Sequence, residues 1–277
     1  MIPRTTSAAL DDIEFLARSE HRVTALAALA RRPQSRADLR AMTGVSRSTI
    51  RRTLHEFEDR HWVSRDGRHY EATQLGAFVA AGVQELIERV EIERAFRDVW
   101  QWLPDEESGF TIEMCTNAVV TVAAADDPYR PVNRFVSLLR ETDGFRFVGF
   151  DLAFLEPCKD ELCRRIVDGM RTEIIDPPSV INHIRSTYPE RFAEALESGN
   201  LTVWVHDDLP PYGVGIFDDR IAISGYDPDT GTVHVLVDTD APAAREWAES
   251  VYRVFRREIP TVALEDDRGV TPPAPGV

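Results

Sequence analysis

The chain has 277 residues, of which 32 are basic and 47 acidic, so its formal net charge is -15. This length allows two modest domains, each with a core of its own. No apolar run approaches the roughly 18 residues of a membrane span, and the first residues lack the apolar segment of a secretory signal, so we expect a cytoplasmic protein with no membrane partner.

The charges are distributed unevenly along the chain. Residues 1–80 contain 13 arginines and 10 acidic residues, a balance of +3, whereas the remainder contains 19 basic and 37 acidic residues, a balance of -18. Only the amino-terminal part is therefore suited to a polyanionic partner. Lys159 is the only lysine, and an acidic, lysine-poor composition is typical of a halophilic cytoplasm. The 3 cysteines include no zinc-type pair, which favours a reduced intracellular protein.

Two consecutive helices joined by a tight turn are predicted in the amino-terminal part. Ser35 and Asp38 have the spacing of a capping box, which begins a short first helix. Gly44 gives the backbone freedom that a sharp turn requires. Ser46 then caps the second helix, predicted over residues 47–59.

The second helix is amphipathic. At about 100° per residue, Ile50, Leu54 and Phe57 share one face and should pack inward. An arginine on the opposite face can bond both acceptors of a guanine edge in the major groove, and Arg52 is the first candidate for this contact. Free amides at the helix start attract phosphate. The contacts to DNA predicted from this helix are Ser46, Arg47, Ser48, Thr49, Arg51, Arg52 and His55.

A β-hairpin is predicted directly after this helix. Asp66-Gly67 separates two short strand-like runs, and such a pair favours a turn with positive φ. Arg65, Arg68 and His69 should lie at the hairpin tip, where they can reach a neighbouring groove or the backbone of DNA. Taken singly, each of these charges is more often part of a solvated surface, but the whole succession is more specific.

Residues 19–80 resemble the winged helix-turn-helix domain of archaeal transcriptional regulators. The larger carboxy-terminal part resembles the effector domain of methanogenesis-regulator-like proteins. These resemblances imply a DNA-binding domain joined to an effector domain, with double-stranded DNA as the partner. The matching segments are residues 22–26, 35–39, 44–52 and 70–76.

A long helix is predicted from Gln74 to about Leu103, with Thr73 as its cap. Its apolar stripe can pack on the protein's own domains or pair with a second copy of the chain. We favour a homodimer, because one winged helix buries little groove surface and symmetric half-sites increase affinity. The stripe contains Leu75, Val79, Val83, Leu86, Val90, Phe96, Val99, Trp100 and Leu103.

The carboxy-terminal part alternates strand-like and helical runs, which predicts an α/β domain with a mixed sheet. The fold class expected for the whole chain is multidomain α+β or α/β. The predicted strands are 110–114, 119–123, 145–150, 172–175, 201–205, 213–217, 220–225 and 232–237, and the helices are 131–139, 157–168, 180–186, 190–197 and 242–258. The predicted domains are 1–73 (winged helix-turn-helix), 74–104 (connector and dimerisation helix), 105–264 (effector or dimerisation domain) and 265–277 (disordered tail).

We expect no enzymatic activity from this domain. The sequence has no nucleophile elbow, P-loop or dinucleotide-binding glycine motif. Some effector domains of this kind resemble half of a phospholipase-D-like fold, which requires a histidine two residues before its lysine; Pro157 occupies that position here. His206, Asp207 and Asp208 lack further fixed ligands, so we expect neither a metal nor a cofactor.

A sensor pocket for a small-molecule effector is the better interpretation of the domain. Ligands of α/β sheets tend to bind at the carboxyl ends of strands. Because two of the five candidate residues there are acidic and none is a lysine or an arginine, a cationic or hydroxyl-rich ligand suits them better than a phosphorylated one. Thiol sensing by Cys158 and Cys163 is a further option. The five effector-site candidates are Asp151, Asp176, His206, Tyr212 and Tyr226.

The sequence therefore predicts a homodimeric, ligand-sensing transcriptional regulator that binds duplex DNA. The alternative is a metabolite-binding protein or an enzyme whose winged helix is a protein-interaction module.

Overall fold

The computed structural model of the chain describes residues 7–149, 152–227 and 232–258. The predicted disordered tail, 265–277, lies outside these residues. Within the described ranges, no helix combines the length and the apolar character that are needed to cross a bilayer. The architecture is mixed α/β, as expected, and the chain divides into two compact units, Met1–Glu93 and Arg94–Val277.

The first unit is a helical bundle with a small three-stranded sheet of order β1-β3-β2. The capping box is confirmed, because the Ser35 hydroxyl accepts from the Asp38 amide at 3.2 Å and the Asp38 carboxylate accepts from the Ser35 amide at 3.0 Å. Gly44 has φ of 71°, so the predicted sharp turn is confirmed. The elements are α1 (Ser7–Ala17), α2 (Glu20–Arg31), β1 (Gln34–Ser35), α3 (Arg36–Thr43), α4 (Arg47–Asp59), β2 (Val63–Asp66), β3 (His69–Ala72) and α5 (Gln74–Phe96).

One apolar core holds this unit together. The inward residues predicted for α4 are all buried, with Ile50 at 1%, Leu54 at 2% and Phe57 at 0% exposure. They pack with side chains from the other helices and from the hairpin, so each short element is stabilised by tertiary contact. Further members of this core are Leu16, Leu26, Leu29, Leu39, Trp62, Tyr70 and Ala80.

The start of α5 is fixed against the hairpin. Thr73 caps the helix by accepting from the Gly76 amide at 3.1 Å, and its hydroxyl donates to the His61 carbonyl at 2.7 Å. A Cβ at Gly76 would lie 1.9 Å from the Trp62 carbonyl oxygen, so only glycine allows this approach.

The prediction that α5 continues to about Leu103 is wrong. The helix ends at Phe96, and a separate 3-10 turn spans Trp100–Trp102. Val99 and Leu103 are buried, and the Trp100 ring stacks on Phe110 at 5.9 Å. These apolar residues extend the sequence pattern of the helix, but they belong to the core of the second unit. The predicted domain limits at 73 and 104 stay predictions.

The second unit is built on a mixed seven-stranded sheet of order β4-β10-β9-β8-β5-β6-β7. The strands β5, β6 and β7 are parallel, and the other pairs are antiparallel. Residues of α6 to α9 pack on one face of the sheet, and α10 packs on the other. The elements are β4 (Val119–Val122), α6 (Arg130–Arg140), β5 (Gly144–Val148), α7 (Leu152–Val167), β6 (Arg171–Asp176), α8 (Pro178–Thr187), α9 (Pro189–Glu197), β7 (Leu201–Val205), β8 (Tyr212–Ile216), β9 (Ile221–Tyr226), β10 (Val233–Thr239) and α10 (Pro242–Glu258).

The strand predicted at 110–114 is wrong. Residues Ile112–Cys115 form a 3-10 turn instead. Phe110 is 1% exposed, and its ring centroid lies 5.0 Å from that of Trp247 on α10. The apolar residues of this segment therefore pack onto a helix rather than pair with a strand.

The helix predicted at 157–168 begins earlier than expected. α7 starts at Leu152, so Pro157 lies inside the helix. Proline is common in a first helical turn, which is why the pattern predicts a later start.

A buried ion network joins α6 to the sheet. The Asp238 side chain on β10 is 0% exposed and accepts from Arg134 at 2.7 and 2.8 Å and from Arg220 at 2.8 Å. The Arg134 hydrogen bonds to Asp238 raise the pKa of that guanidinium. Because several donors surround the carboxylate, its burial is compensated.

Candidate nucleic-acid interface

The start of α4 is set by a hydroxyl cap. Ser46 accepts from the Thr49 amide at 3.2 Å, and its hydroxyl also lies 2.8 Å from that of Ser48. Thr49 is half-buried, and its hydroxyl is 2.9 Å from Ser46. The cap leaves other amides of the first turn without helical partners, which is the arrangement that favours an anion.

The outer face of α4 is exposed. Ser48, Arg52 and His55 lie on this face, about 90° around the helix from Arg47 and Arg51. Among the residues that the structure describes, the three arginines form no salt bridge, so their guanidinium groups are available to a partner. His55 is weakly paired, with its Nδ1 at 3.7 Å from the Asp59 carboxylate.

The hairpin after α4, which we call the wing, consists of β2 and β3. Asp66 pairs with His69, so the two turn residues are Gly67 and Arg68, one position later than predicted. The positive φ, 56°, falls on Gly67. Arg65 donates to the Gly67 carbonyl at 3.0 Å, and Tyr70 is buried beneath the wing. This anchoring leaves Arg68 at the tip.

A basic groove runs between α3, the start of α4 and the wing. Arg47, Arg51, Arg65, Arg68 and His69 all line it, so the structure brings together five of the predicted residues. No acidic side chain lines the groove among the described residues. Because six arginines face the same space, their combined potential favours a polyanion.

The sequence interpretation missed Arg36 and Arg40, which complete the basic groove from α3. Arg36 donates to the Tyr70 hydroxyl, and its guanidinium lies 5.4 Å from the centre of that ring. Their spacing of four residues was the available signal, since it places both side chains on one helix face.

The candidate effector residues do not share one face of the second unit. Asp176 ends β6, and its carbonyl accepts from the His206 amide at 3.1 Å. Tyr226 donates to the Gly149 carbonyl at 3.0 Å and packs on the α6 to α9 side. Tyr212 lies near Trp247 of α10, on the opposite side.

The His206 ring also faces α10, with its centroid 5.3 Å from that of Phe255. Asp151 lies outside the described residues. All four described candidates are at the predicted edge of the sheet, but side chains alternate between its faces, so they do not line one pocket. Within the described part of the chain, no group of three His, Cys, Asp or Glu side chains is placed to hold a metal.

The cysteines are held as thiols. Burial raises the pKa of both Cys115 and Cys158 to about 12. Burial also raises the pKa of Cys163, which is half-buried and donates to the Arg191 carbonyl at 3.6 Å. Cys163 is the most accessible of the three thiols. The thiolate is the reactive form of cysteine, and burial disfavours the thiolate at all three positions.

Two family models match the sequence. Residues 128–258 match the model described as "Methanogenesis regulatory protein FilR1, middle domain", and residues 10–95 match the "HVO_A0261 N-terminal domain". The first covers strands β5 to β10 of the sheet and helices α6 to α10, and the second covers the basic groove, α4 and the wing. No curated protein matches the chain.

Several solved structures are distantly similar. TrmBL2, described as an archaeal chromatin protein with a novel mode of DNA binding, is 12% identical over 87% of this chain and 92% of that chain, with a TM-score of 0.42. ZitR of Lactococcus lactis is 16% identical over 38% of this chain and 89% of that chain, with a TM-score of 0.26. An O-methyltransferase family protein of Burkholderia thailandensis is 12% identical over 73% and 65%, with a TM-score of 0.24. Likenesses of this size leave the function open.

Proposed function

We propose that this chain, which belongs to the archaeal transcriptional regulators of the methanogenesis-regulator type, reads an operator in duplex DNA with α4 and the wing. The observation that carries this proposal is the basic groove beside the exposed outer face of α4. The rest of the chain is strongly acidic, so the groove is the surface on which a polyanion binds with least repulsion.

The two exposed faces of α4 suit two kinds of contact. Arg47 and the amides of the first turn are positioned for phosphate, which sets the register of the helix but not its sequence preference. Arg52 lies farther along the outer face, where an unpaired guanidinium can donate two parallel hydrogen bonds to a guanine. Arg68, at the wing tip, reaches the adjoining backbone.

The test is genomic pull-down of the tagged full chain followed by binding measurements on the enriched sites. We expect discrete promoter sites, and we expect Arg52→Ala to weaken binding to them by about 1–3 kcal/mol. Arg18→Ala is a matched control, since Arg18 is also exposed but is paired with Glu14 on α1. Uniform weakening on all sequences would identify Arg52 as a phosphate contact, and the absence of enriched sites would contradict operator reading.

The proposed regulator is a homodimer that uses the exposed side of α5. The predicted stripe is divided in the structure, because Val79 and Val83 pack against the unit's own core. Leu75 and Phe78 are 62% and 81% exposed, and with Gly82 and Leu86 they share one helix face. An unpartnered apolar face of this length on a helix beside the DNA-binding elements favours a second copy of the chain.

Sedimentation at micromolar protein and high salt tests the dimer. We expect a dimer for the wild type and a monomer for Phe78→Glu, because the charge would be buried without a partner. Val254→Glu is the control, since Val254 is also exposed but lies on α10. A wild-type monomer, or equal dissociation by both variants, contradicts this interface.

The second unit is proposed to adjust operator occupancy by binding a small molecule. A ligand that binds one dimer geometry more tightly than another would change the spacing of the two copies of α4. If no metabolite extract alters operator affinity or thermal stability, the second unit acts as a scaffold instead.

A further inference from the structure

An apolar cavity of about 80 Å³ lies within the second unit, between α7, α8 and α9 and the strands β6 and β7. Its walls are almost entirely carbon. A buried water needs two to four polar partners, so this space is suited to hydrocarbon rather than to water. Its lining includes Leu162, Ile174, Ile184, Phe192, Ala195 and Leu201.

The volume limits the size of a ligand. One water molecule requires roughly 10–15 Å³ of cavity volume. If each non-hydrogen atom of a ligand needs about as much, the cavity holds about six of them. A short branched alkyl chain or a single ring has this size, whereas a nucleotide, a sugar phosphate or a long acyl chain exceeds it.

Two cationic residues are among those that border the cavity. Lys159 and Arg191 both border the cavity, and Lys159 is the only lysine of the chain. A lysine has a four-carbon stem that can line an apolar wall while its ammonium group stays at the mouth. Asp176 borders the cavity from the end of β6. It already interacts with another group of the protein, so we do not assign it to a ligand.

Lys159 retains capacity for a further acceptor. Its Nζ donates to the Glu156 carbonyl at 2.8 Å and lies 3.4 Å from the Glu156 carboxylate, which leaves one of its three donors. Glu156 also accepts from the Tyr188 hydroxyl at 2.7 Å and lies 3.0 Å from His183 Nε2, and these hydrogen bonds lower its pKa. The carboxylate is thus held by several donors and does not depend on Lys159 alone.

Arg191 has similar spare capacity. Its Nη1 pairs with Asp160, and a guanidinium has five donors in a planar fork. Because both residues border the cavity, each can donate to a second carboxylate there without losing its existing partner.

We propose that the cavity binds a small monocarboxylate, whose branched alkyl chain or ring fills the apolar space and whose carboxylate is held by Lys159 and Arg191. This differs from the cationic or hydroxyl-rich ligand that the sequence predicts. The use of this ligand as an effector rests on the proposed function, whereas its binding does not.

The test uses the full chain with 4-methylpentanoate and, as a matched neutral probe, 4-methyl-1-pentanol, at constant ionic strength. Calorimetry measures affinity, and the labelling rate of Cys163 reports occupancy because its side chain lines the cavity. Cys115 and Cys158 are buried and give little background. We expect the acid to bind, to slow Cys163 labelling at least tenfold at saturation, and to bind at least tenfold more tightly than the alcohol.

Two variants of α7 make the test specific. Lys159→Met removes the rim charge and keeps an unbranched stem, and we expect it to weaken binding of the acid at least tenfold but not binding of the alcohol. Arg164→Met is the control, because Arg164 makes the same i,i+3 pair with a glutamate but does not line the cavity. The proposal is overturned if the wild type binds neither probe, if the alcohol binds as tightly as the acid, or if both variants lose the acid equally.

Ala195→Leu fills the cavity and should abolish binding of both probes. Should this variant fail to fold, the comparison of the two α7 variants still decides the question. Binding of the acid by a chain that enriches no promoter would support this inference and contradict operator reading, and the reverse result would contradict only this inference.

Discussion

The two units of the chain differ in the sequence distance over which their functional features are assembled. In the first unit, the basic groove is formed by residues between Ser35 and Tyr70. In the second unit, the Arg134–Asp238 ion pair joins positions 104 residues apart, and the cavity draws on three helices and two strands. A surface made of neighbouring helices can be derived from local patterns, whereas an interior made by a sheet depends on pairing that the local sequence does not determine.

The units also differ in how polar groups contribute to them. The first unit exposes the six arginines that line its basic groove, so these charges serve binding more than folding. The second unit buries a carboxylate, Asp238, among arginines and uses it to join elements. Four predictions test this contrast.

The largest effect is expected for Asp238→Ala. The change leaves Arg134 and Arg220 partly buried without their shared acceptor, and breaking such a network costs about 3–5 kcal/mol. Urea unfolding with separate probes for the two units should show the loss only in the second unit. Asp168→Ala is the control, since its exposed pair with Arg164 should contribute less than about 1 kcal/mol. Equal losses of stability for the two variants would contradict the structural role of the buried Asp238 network.

A smaller but still large effect is expected for Gly76→Ala. The added Cβ would lie 1.9 Å from the Trp62 carbonyl oxygen, and moving this backbone should cost the first unit about 2–3 kcal/mol. Gly82→Ala on the same helix meets nothing within 4 Å and should instead stabilise the helix by about 0.5–1 kcal/mol. Thermal unfolding of the two variants measures the difference. If Gly76→Ala is as stable as Gly82→Ala, the hairpin does not hold α5 as described.

The exposed arginines of the basic groove should influence binding without influencing stability. If Arg47 contacts phosphate, Arg47→Ala should weaken binding to all duplexes and reduce the slope of log K against log salt by about 1. Titrations over a range of salt concentrations on an enriched site and on random DNA measure this slope. An unchanged slope, or a loss restricted to one sequence, would exclude Arg47 as a phosphate contact.

The smallest effect concerns His21, whose Nε2 lies 3.1 Å from the Thr53 hydroxyl on α4. Burial, together with the charge of Arg22, lowers the pKa of His21 below its usual value of 6.5. The unfolded chain therefore binds more protons below about pH 6.5, and the first unit should lose stability as the pH falls. His21→Gln should flatten this dependence, measured by urea unfolding between pH 5 and about pH 8.

Much of the first unit could be predicted because its boundaries are encoded in neighbouring residues. The Ser46 cap and the apolar spacing of Ile50, Leu54 and Phe57 predict α4 with the bounds that the structure has. The predicted turn of the wing lies one residue too early in the sequence. Either Asp66-Gly67 or Gly67-Arg68 can form a two-residue turn, and the strand pairing decides between them.

The sequence predicts packing least well where the residues of one apolar stripe face two different surroundings. In α5, the apolar positions divide between the unit's own core, which takes Val79 and Val83, and an exposed face that includes Phe78. Periodicity gives the helix but not the direction of each residue. The sequence does not predict the cavity for a related reason. Each lining residue by itself is typical of a core position, and the space between these residues arises only from the packing of α7 on α9.

The attachment of α5 to the hairpin has a mechanical consequence. A helix of 23 residues is about 35 Å long, so a tilt of about 10° at one end moves the other end by about 6 Å. Because Thr73 and Gly76 fix its start to His61 and Trp62, directly before β2, the helix and the wing should turn together as one lever. In the proposed dimer, a change of a few degrees between the two copies of α5 would then be enough to move the two wings into or out of register with the turns of a double helix.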